Sequence, residues 1–529
     1  MRKLVSFYAA GFGGDGHTFL LPPPAQQPLT LVTRQLLQAH RSPPSVMLKF
    51  SLSSTQRAVH LMRHRVAAAY STAAPAQPFN VAIIGSGPAG FYTALRLLER
   101  LPVTRVDMFE ALPVPFGLSR FGVAPDHPEV KACQDRFTEV AHYPGFNYIG
   151  NTEVGRDVAL ADLKANYHAV ILAYGSHKDR LLGIPGENSP GVFSAREFVG
   201  WYNGLPEHAG LDVPLDMAED VTIVGNGNVA LDVARILLAD TSRLKSTDIT
   251  EHAYEKLKTS KIKRVRIAAR RGILQSAFTT KEVRELINEP NVYMNPLKDE
   301  YLDQVRPFLP VLERTRKRLV SVLEKNSKLA RPEGVEKTWT LDYLISPIEI
   351  KASGNGKTLE STTFEVNNLV QPELSSPARA IGSGQHVTFK NELLFRSIGY
   401  KSVPLEGLHT GLGVEFDQAR GIVPNTDGRV APGVYAVGWV KTGPTGVIAH
   451  TMGESFEVAE NLIDDYKQGI VGTEQNRPGF SGIKDKITSR IVGWGDWEKI
   501  DAAEKTKGLS EGKPREKFTS VDEMLNVLE

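Results

Sequence analysis

The sequence predicts an α/β protein with two Rossmann-like dinucleotide-binding domains, and three observations carry that prediction. A strand, a glycine-rich turn and an apolar-faced helix follow one another from Phe79, and the same succession returns from Asp220. A third strand, glycine turn and helix begins at Val434. Strands that alternate with helices in this way build parallel sheets covered by helices.

In the first unit Val81 to Ile84 read as a buried strand, Gly85-Ser86-Gly87-Pro88-Ala89-Gly90 as the turn, and Phe91 to Arg100 as a helix with apolar residues at helical spacing. The first glycine permits the tight turn. The second lets backbone N–H groups approach a pyrophosphate, and the third lets helix pack on strand. A second apolar run, Val106 to Phe109, ends in Glu110, about 20 residues past Gly90, where a ribose needs an acceptor. After it, Pro113 to Lys131 is too rich in proline and glycine for regular structure yet carries Arg120, Asp126 and His127. Such a loop is placed to run along a cofactor; read plainly, it is a surface connector in which Asp126 caps a helix and Pro128 sits early in it. Tyr167 to Ser176 reads as an apolar strand returning to the same sheet.

The second unit repeats the pattern with Gly225-Asn226-Gly227-Asn228-Val229-Ala230 as its turn. Two fingerprints imply two dinucleotides, and two bound redox dinucleotides imply electron transfer between them. Its next strand, Arg264 to Ala269, ends in Arg270 and Arg271 where the first unit has an acid. Paired guanidiniums suit a 2′-phosphate, which predicts NADP over NAD; the plain alternative is two solvated arginines at a strand end. Residues 276 to 289 read as a helix started by Thr279 or Thr280, with Glu282 toward the ribose region. Pro307 to Lys328 reads as a strongly basic helix on which Arg314 and Arg318, four apart, share a face. It is either a solvated face or a patch that steers an acidic partner. Lys337 to Lys390 alternates apolar and polar residues around a hairpin signal at Ser353-Gly354-Asn355-Gly356, and Glu392 to Ile398 leads back toward the first domain. In the third unit the turn Thr442 to Gly446 opens a helix from Val447, whose N-terminal N–H groups suit the electron-rich end of a flavin. Trp439, set among glycines, is either a ring beside the isoalloxazine or a core indole.

Composition bounds the rest. A chain of 529 residues holds two or three domains. Its formal charge of +2 hides an asymmetry, because residues 1 to 79 carry eight basic residues and one acid while the remainder is mildly acidic. Nothing global suggests nucleic-acid binding. The leading segment is Arg-bearing, Ser/Ala-rich and able to form a basic amphipathic helix from Met47 to Thr72, the composition of a mitochondrial transit peptide; the alternative is a tail without an address. No run of 18 apolar residues predicts a transmembrane helix. The one cysteine, Cys133, excludes a redox disulfide, a cysteine-ligated iron–sulfur cluster and a Cys-rich zinc site within the chain, and no metal centre is expected.

The stretches VAIIGSGPAGFYTALRLL, VPFGLSRFGVAPDHPEVK, VGNGNVALDVARILL, ARRGILQSAFTTKEVREL, SIGYKS and VGWVKTGPTGVI closely resemble the mitochondrial adrenodoxin reductase family, NADPH:ferredoxin oxidoreductases of the glutathione-reductase-like flavoprotein type. The resemblance covers roughly residues 78 to 529, GKPREK in the tail included, and is loose over 351 to 385. It implies FAD in the first unit at Gly85, Gly87, Ala89, Gly90, Glu110, Leu118, Val154 and Trp439, with Gly446, Val447 and Ile448 near both cofactors. It implies NADP(H) in the second at Gly225, Gly227, Asn228, Val229, Ala230, Arg270, Arg271 and Glu282. A small acidic [2Fe–2S] ferredoxin would dock on Arg284, Arg314 and Arg318. His127 and Asp232 match positions near the flavin and the domain interface and are the candidate catalytic residues, although Asp232 equally suits a helix dipole. The implied organisation is a transit segment over 1–77, an FAD domain over 78–185 and 395–529, and an NADP domain over 186–394. The implied setting is the mitochondrial matrix side, with peripheral association to the inner membrane. The rival readings are another flavoprotein, such as a glutamate-synthase-like NADPH subunit, whose cysteine-ligated clusters this chain cannot build, and a non-catalytic protein that binds FAD and NADP for interaction.

Overall fold

The computed structural model describes residues 78–371, 373–472 and 476–529. The segment read as a transit peptide lies outside them. The described chain is organised by two six-stranded sheets. In the first, β1 (Phe79–Ile84), β2 (Thr104–Phe109), β3 (Phe146–Ile149) and β4 (Ala169–Leu172) are parallel. The second comprises β5 (Val192–Ser194), β6 (Asp220–Val224), β7 (Arg264–Ala268), β8 (Val292–Met294), β9 (Lys337–Asp342) and a strand contributed later in the chain. A three-stranded antiparallel sheet follows, β10 (Ile345–Ala352), β11 (Leu359–Val370) and β12 (Arg379–Lys390). Its first connection is the expected turn at Ser353 to Gly356. Then β13 (Leu393–Arg396) enters the middle of the second sheet between β5 and β6, giving the order β5-β13-β6-β7-β9-β8 with every pairing parallel. Finally β14 (Arg429–Ala431) and β15 (Val434–Ala436) complete the first sheet, in the order β14-β15-β4-β1-β2-β3.

Crossovers explain the parallel arrangement. The helices α1 (Pro88–Arg100), α2 (Asn228–Leu238), α3 (Thr280–Ile287), α4 (Arg314–Ser327), α5 (Ile448–Lys467) and α6 (Trp494–Ser510) carry the principal connections and flanks. All six residues of β1 are buried, as a central parallel strand requires. Alternation along it feeds two cores: Val81 and Ile83 pack with Phe91, Leu95 and the α5 residues Val458 and Leu462, while Ala82 and Ile84 pack with Leu160, Leu163 and Val423. Burying each such aliphatic side chain contributes about 1.5–3 kcal/mol.

Three expectations change. The domain boundary placed after residue 394 falls inside β13, because Leu393 to Arg396 are held on both sides by the second sheet. The chain returns only afterwards, where Tyr400–Lys401 pairs antiparallel with Lys178–Asp179, so the outgoing and returning crossings run side by side. The basic helix does not run from Pro307: Pro310 sits in a separate 3₁₀ turn, Arg306–Val311, and the α-helix starts at Arg314. Asp126 does not cap the helix at Pro128; the cap position is His127 without a side-chain bond, and the Asp126 carboxylate is committed elsewhere.

The tail, unreadable as chemistry in sequence, ties the lobes together. Glu504 on α6 is wholly buried and accepts from Arg120 at 2.6 and 2.8 Å and from Arg515 at 2.8 Å. Beyond it, the buried Lys517 ammonium meets Asp248 of the second lobe at 2.8 Å, and Asp248 also takes Lys131 at 2.6 Å. Burial alone would raise the Asp248 carboxyl, but Lys517 and Lys131 hold it well below the usual range. Lys517 itself, buried beside the further cations Lys131 and Arg120, is pushed down to about 7.

Candidate functional site

Both glycine-rich turns are built to leave helix N-termini open. Gly85 has φ +107° and Gly225 φ +125°. A Cβ on Gly85 would stand 2.6 Å from the Ala173 carbonyl oxygen, and one on Gly225 would overlap the Ser397 carbonyl oxygen, so both positions exclude side chains. Gly90 packs its α-carbon against the carbonyl of Gly85, the close helix approach the motif requires; Ala230, fully buried, takes that place in the second turn. Gly87 and Gly227 are the N-caps of α1 and α2 and supply no capping side chain. Neither helix has an acid in its first turn, and the space that a Cβ on either glycine would occupy is empty to 4 Å. Uncapped N–H groups facing open space fit a pyrophosphate at each turn.

The first site continues through Glu110. Its Oε2 accepts from the Ser86 hydroxyl at 2.6 Å and the Ser86 N–H at 3.1 Å, and its Oε1 from Leu112 N–H at 3.1 Å. Burial raises the carboxyl, and these donors partly offset it. Leu118 is half-buried at the start of a short helix, Leu118–Phe121, which with the turn of helix at Pro128–Lys131 gives regular structure to a stretch expected to be irregular, and Val154 is buried beyond β3. Gly438 approaches so closely that a Cβ there would lie 2.7 Å from the Ala89 Cβ, which brings the Trp439 segment onto the first turn. The Trp439 indole is half-buried, 6.0 Å from the Tyr400 ring. The turn opens α5 as expected, with Val447 as N-cap and Gly446, Val447 and Ile448 wholly or partly open to solvent. These positions fit FAD along β1, β2 and the start of α5.

In the second site Arg270 and Arg271, at the end of β7, are exposed, and neither guanidinium is paired with a carboxylate among the described residues. Asn228, at the first position of α2, accepts from the Thr279 N–H through Oδ1 at 2.9 Å, and Thr279 is the N-cap of α3. Val229, half-buried, and Ala230 follow in the same turn. Two free cations beside an uncapped glycine turn fit a nucleotide with a 2′-phosphate.

Between the sites lies a charge cluster centred on Arg235, a residue that sequence reasoning did not single out. Its guanidinium, on a residue 2% exposed, meets Asp126 at 2.7 and 3.0 Å and Asp232 at 2.8 Å. The Glu282 and Glu285 carboxylates both lie 3.8 Å from its Nη1. His127 Nε2 is 2.9 Å from Glu285. His127, Glu282 and Glu285 have the donor types of a cation site, and the Arg235 guanidinium supplies the positive charge there. Burial opposes ionisation of Asp126, Asp232 and Glu282. The bonds from Arg235 nevertheless hold Asp126 below the usual carboxylate range, whereas burial keeps Asp232 above it. Burial, then the charges of Asp232 and Glu285, push Glu282 up to about 8. The structure thus brings His127, Asp232 and Glu282 together. A lone arginine inside an apolar helix was the available signal for their organiser, since a charge buried there needs partners.

On the neighbouring surface α3 packs against α4. Arg284 is half-buried, and Arg314 and Arg318 are exposed. Cys133 is half-buried with its thiol raised by burial, an ordinary environment rather than that of a nucleophile.

Comparison with known proteins agrees with this geometry. Residues 79–290 match the family model described as pyridine nucleotide-disulphide oxidoreductase. The chain is 44% identical to the mitochondrial NADPH:adrenodoxin oxidoreductase of Homo sapiens, over 85% of this chain and 91% of that protein. It is 42% identical to that of Salvelinus fontinalis, over 91% and 97%. The solved structure of Mycobacterium tuberculosis FprA in complex with NADPH is similar at a TM-score of 0.78 and 37% identity, covering 85% of this chain and 99% of FprA. The chain belongs to the NADPH:adrenodoxin oxidoreductase family.

Proposed function

We propose that the protein is an FAD-dependent NADPH:ferredoxin oxidoreductase of the mitochondrion. The observation that carries the reading is the pair of uncapped glycine turns, one ending in the acid Glu110 and the other in the free guanidiniums of Arg270 and Arg271. FAD is held along the first turn and NADP(H) along the second. Bound FAD supplies the conversion of a two-electron hydride donor into single-electron delivery.

The chain's own residues bind, orient and insulate. Backbone N–H groups of Ala89 and Gly90 receive one pyrophosphate, and those of Asn228 and Val229 the other. Glu110 accepts from ribose hydroxyls in place of part of its bonding to Ser86. Arg270 and Arg271 clamp the 2′-phosphate and set the preference for NADPH. The Glu282 carboxyl, pushed up to about 8 by burial and by the charges of Asp232 and Glu285, is suited to donate a hydrogen bond to the ribose of the same nucleotide. Arg235, by joining Asp126 and Asp232, keeps the loop of the first site fixed on the helix of the second. His127 and Asp232 act there as positioning groups at the junction. Arg284, Arg314 and Arg318 form the docking patch for an acidic [2Fe–2S] ferredoxin, which steers association in a salt-dependent manner.

We place the protein on the matrix side, on the support of its mitochondrial relatives and the basic composition of residues 1–77. Among the described residues no helix is long and apolar enough to cross a membrane. The reading is tested by anaerobic titration of the purified protein with NADPH. Stoichiometric bleaching of an oxidised-flavin spectrum supports it, and a protein that carries no flavin when purified and takes up none overturns it.

A further inference from the structure

Three arginines stand in the first turns of α4, and their environments differ. Arg314 and Arg318 are exposed. Arg316 between them is half-buried, and its Nη1 donates to the carbonyl oxygen of Ser276 at 2.7 Å. Ser276 lies in the loop that joins Arg271 to the Thr279 cap of α3. The buried Ser276 hydroxyl also bonds the Tyr343 hydroxyl at 2.9 Å. The next residue, Ala277, donates its N–H to the Asn226 carbonyl in the second glycine turn at 3.1 Å, and Thr279 N–H bonds Asn228 at 2.9 Å.

Packing holds the two ends of this loop, since Ile273 and Phe278 are buried in the core of the second lobe, and leaves the stretch between them less filled. A cavity of about 150 Å³ lies against its first half, lined by Gly272, Leu274 and Gln275 and, opposite, by Gln304, Phe308 and Leu369. Where side chains do not fill the space, contacts that would hold the backbone are missing. Ser276, between those anchors, is held by polar bonds, and among the described residues Arg316 brings the charged donor to it.

We propose that Arg316 is a positioning residue for NADP(H) and not part of the ferredoxin-docking patch in which it stands. By holding Ser276 it sets Ala277 and Thr279 against Asn226 and Asn228, and so keeps the turn in the form that receives the dinucleotide. The inference rests on the reductase reading above. The tether acts on the turn that meets the pyrophosphate, which NADPH and NADH share. It does not act on the 2′-phosphate.

The test is steady-state reduction of ferricyanide by Arg316→Ala and Arg316→Lys with each nucleotide, together with the half-saturating concentration of a [2Fe–2S] ferredoxin in cytochrome c reduction. Arg316→Ala raises KM for NADPH and NADH by the same factor, about tenfold, equivalent to about 1.4 kcal/mol. Its kcat and its ferredoxin half-saturation stay within about twofold of wild type, and Arg316→Lys, which keeps a charged N–H donor, recovers most of the loss. Unchanged nucleotide KM values overturn the assignment, as does a loss of kcat alone or a shift in ferredoxin half-saturation. If Arg316→Ala does not accumulate as folded protein, the same KM criterion is applied to Arg316→Lys and Arg316→Gln, and Gln must be the more impaired. Wild-type turnover separates the two levels: if the wild type does not oxidise NADPH, the reductase reading falls and this assignment with it. If the wild type turns over and the variants keep its KM values, only the role of Arg316 falls.

Discussion

Arg235, inside the helix that follows the second glycine turn, makes a two-bond ion pair with Asp126, in the loop that follows Glu110, at 2.7 and 3.0 Å. The two residues are 109 positions apart and belong to different nucleotide units. One buried guanidinium thus serves as the fixed point between the two cofactor sites. Asp126→Ala removes its principal partner and leaves Asp232 as the close one. Breaking a buried pair from one side costs about 3–5 kcal/mol, and the partial exposure of Asp126 places this case near the lower figure. Urea unfolding should show a corresponding fall in midpoint; an unchanged midpoint would mean that Asp232 alone suffices.

Arg271→Ala separates the two nucleotides. A charge-assisted contact to phosphate is worth about 1.5–3 kcal/mol, so KM for NADPH should rise about 10- to 100-fold while KM for NADH moves less than about twofold. Equal rises would remove the 2′-phosphate from this pair and return them to solvated strand-end arginines.

The docking patch makes the opposite prediction. Arg314→Glu with Arg318→Glu reverses two exposed charges, so ferredoxin-dependent cytochrome c reduction should slow at least about tenfold at low salt, the difference shrinking as salt rises. NADPH-to-ferricyanide turnover should be retained, because neither side chain meets the nucleotide turns. A parallel loss of both activities would make the patch structural.

Glu282 gives a signed pH dependence. Its folded value is raised to about 8 from 4.5, by burial first and then by Asp232 and Glu285. Between those limits the folded state holds the proton and the unfolded state does not, so this group's contribution to stability falls as pH rises. Glu282→Gln cannot ionise. Its melting temperature should therefore approach or match wild type near pH 4.5, exceed it increasingly up to about pH 8, and keep a constant advantage above that. A difference that does not change with pH would contradict the raised value.

Much of the site was legible because it is local. The turns at Gly85 and Gly225, the acid at Glu110 and the arginines at 270 and 271 each follow a strand at fixed offsets, and backbone geometry forces those offsets. Thr279 was legible as a cap for the same reason. Long-range features were not. The Arg235 cluster draws two residues each from α2, the loop of Asp126 and His127, and α3. The insertion of β13 between β5 and β6 is invisible in a four-residue apolar run, so a boundary expected after residue 394 cuts the strand. In the tail, Lys517 and Glu504 look like ordinary surface charges until Asp248 and Arg120 meet them across hundreds of residues. Pro310, plain in the sequence, breaks the basic stretch into a 3₁₀ turn and a helix.

The central claim is that electrons pass from NADPH through a bound flavin to an iron–sulfur protein. Its most direct test is NADPH-driven cytochrome c reduction by the purified protein, with and without an added [2Fe–2S] ferredoxin, beside the visible spectrum of the enzyme. The expected result is an oxidised-flavin spectrum and a rate that rises with ferredoxin to saturation and falls with salt. A bound flavin with turnover indifferent to ferredoxin would contradict it and would leave a protein that binds both nucleotides without passing electrons to that partner.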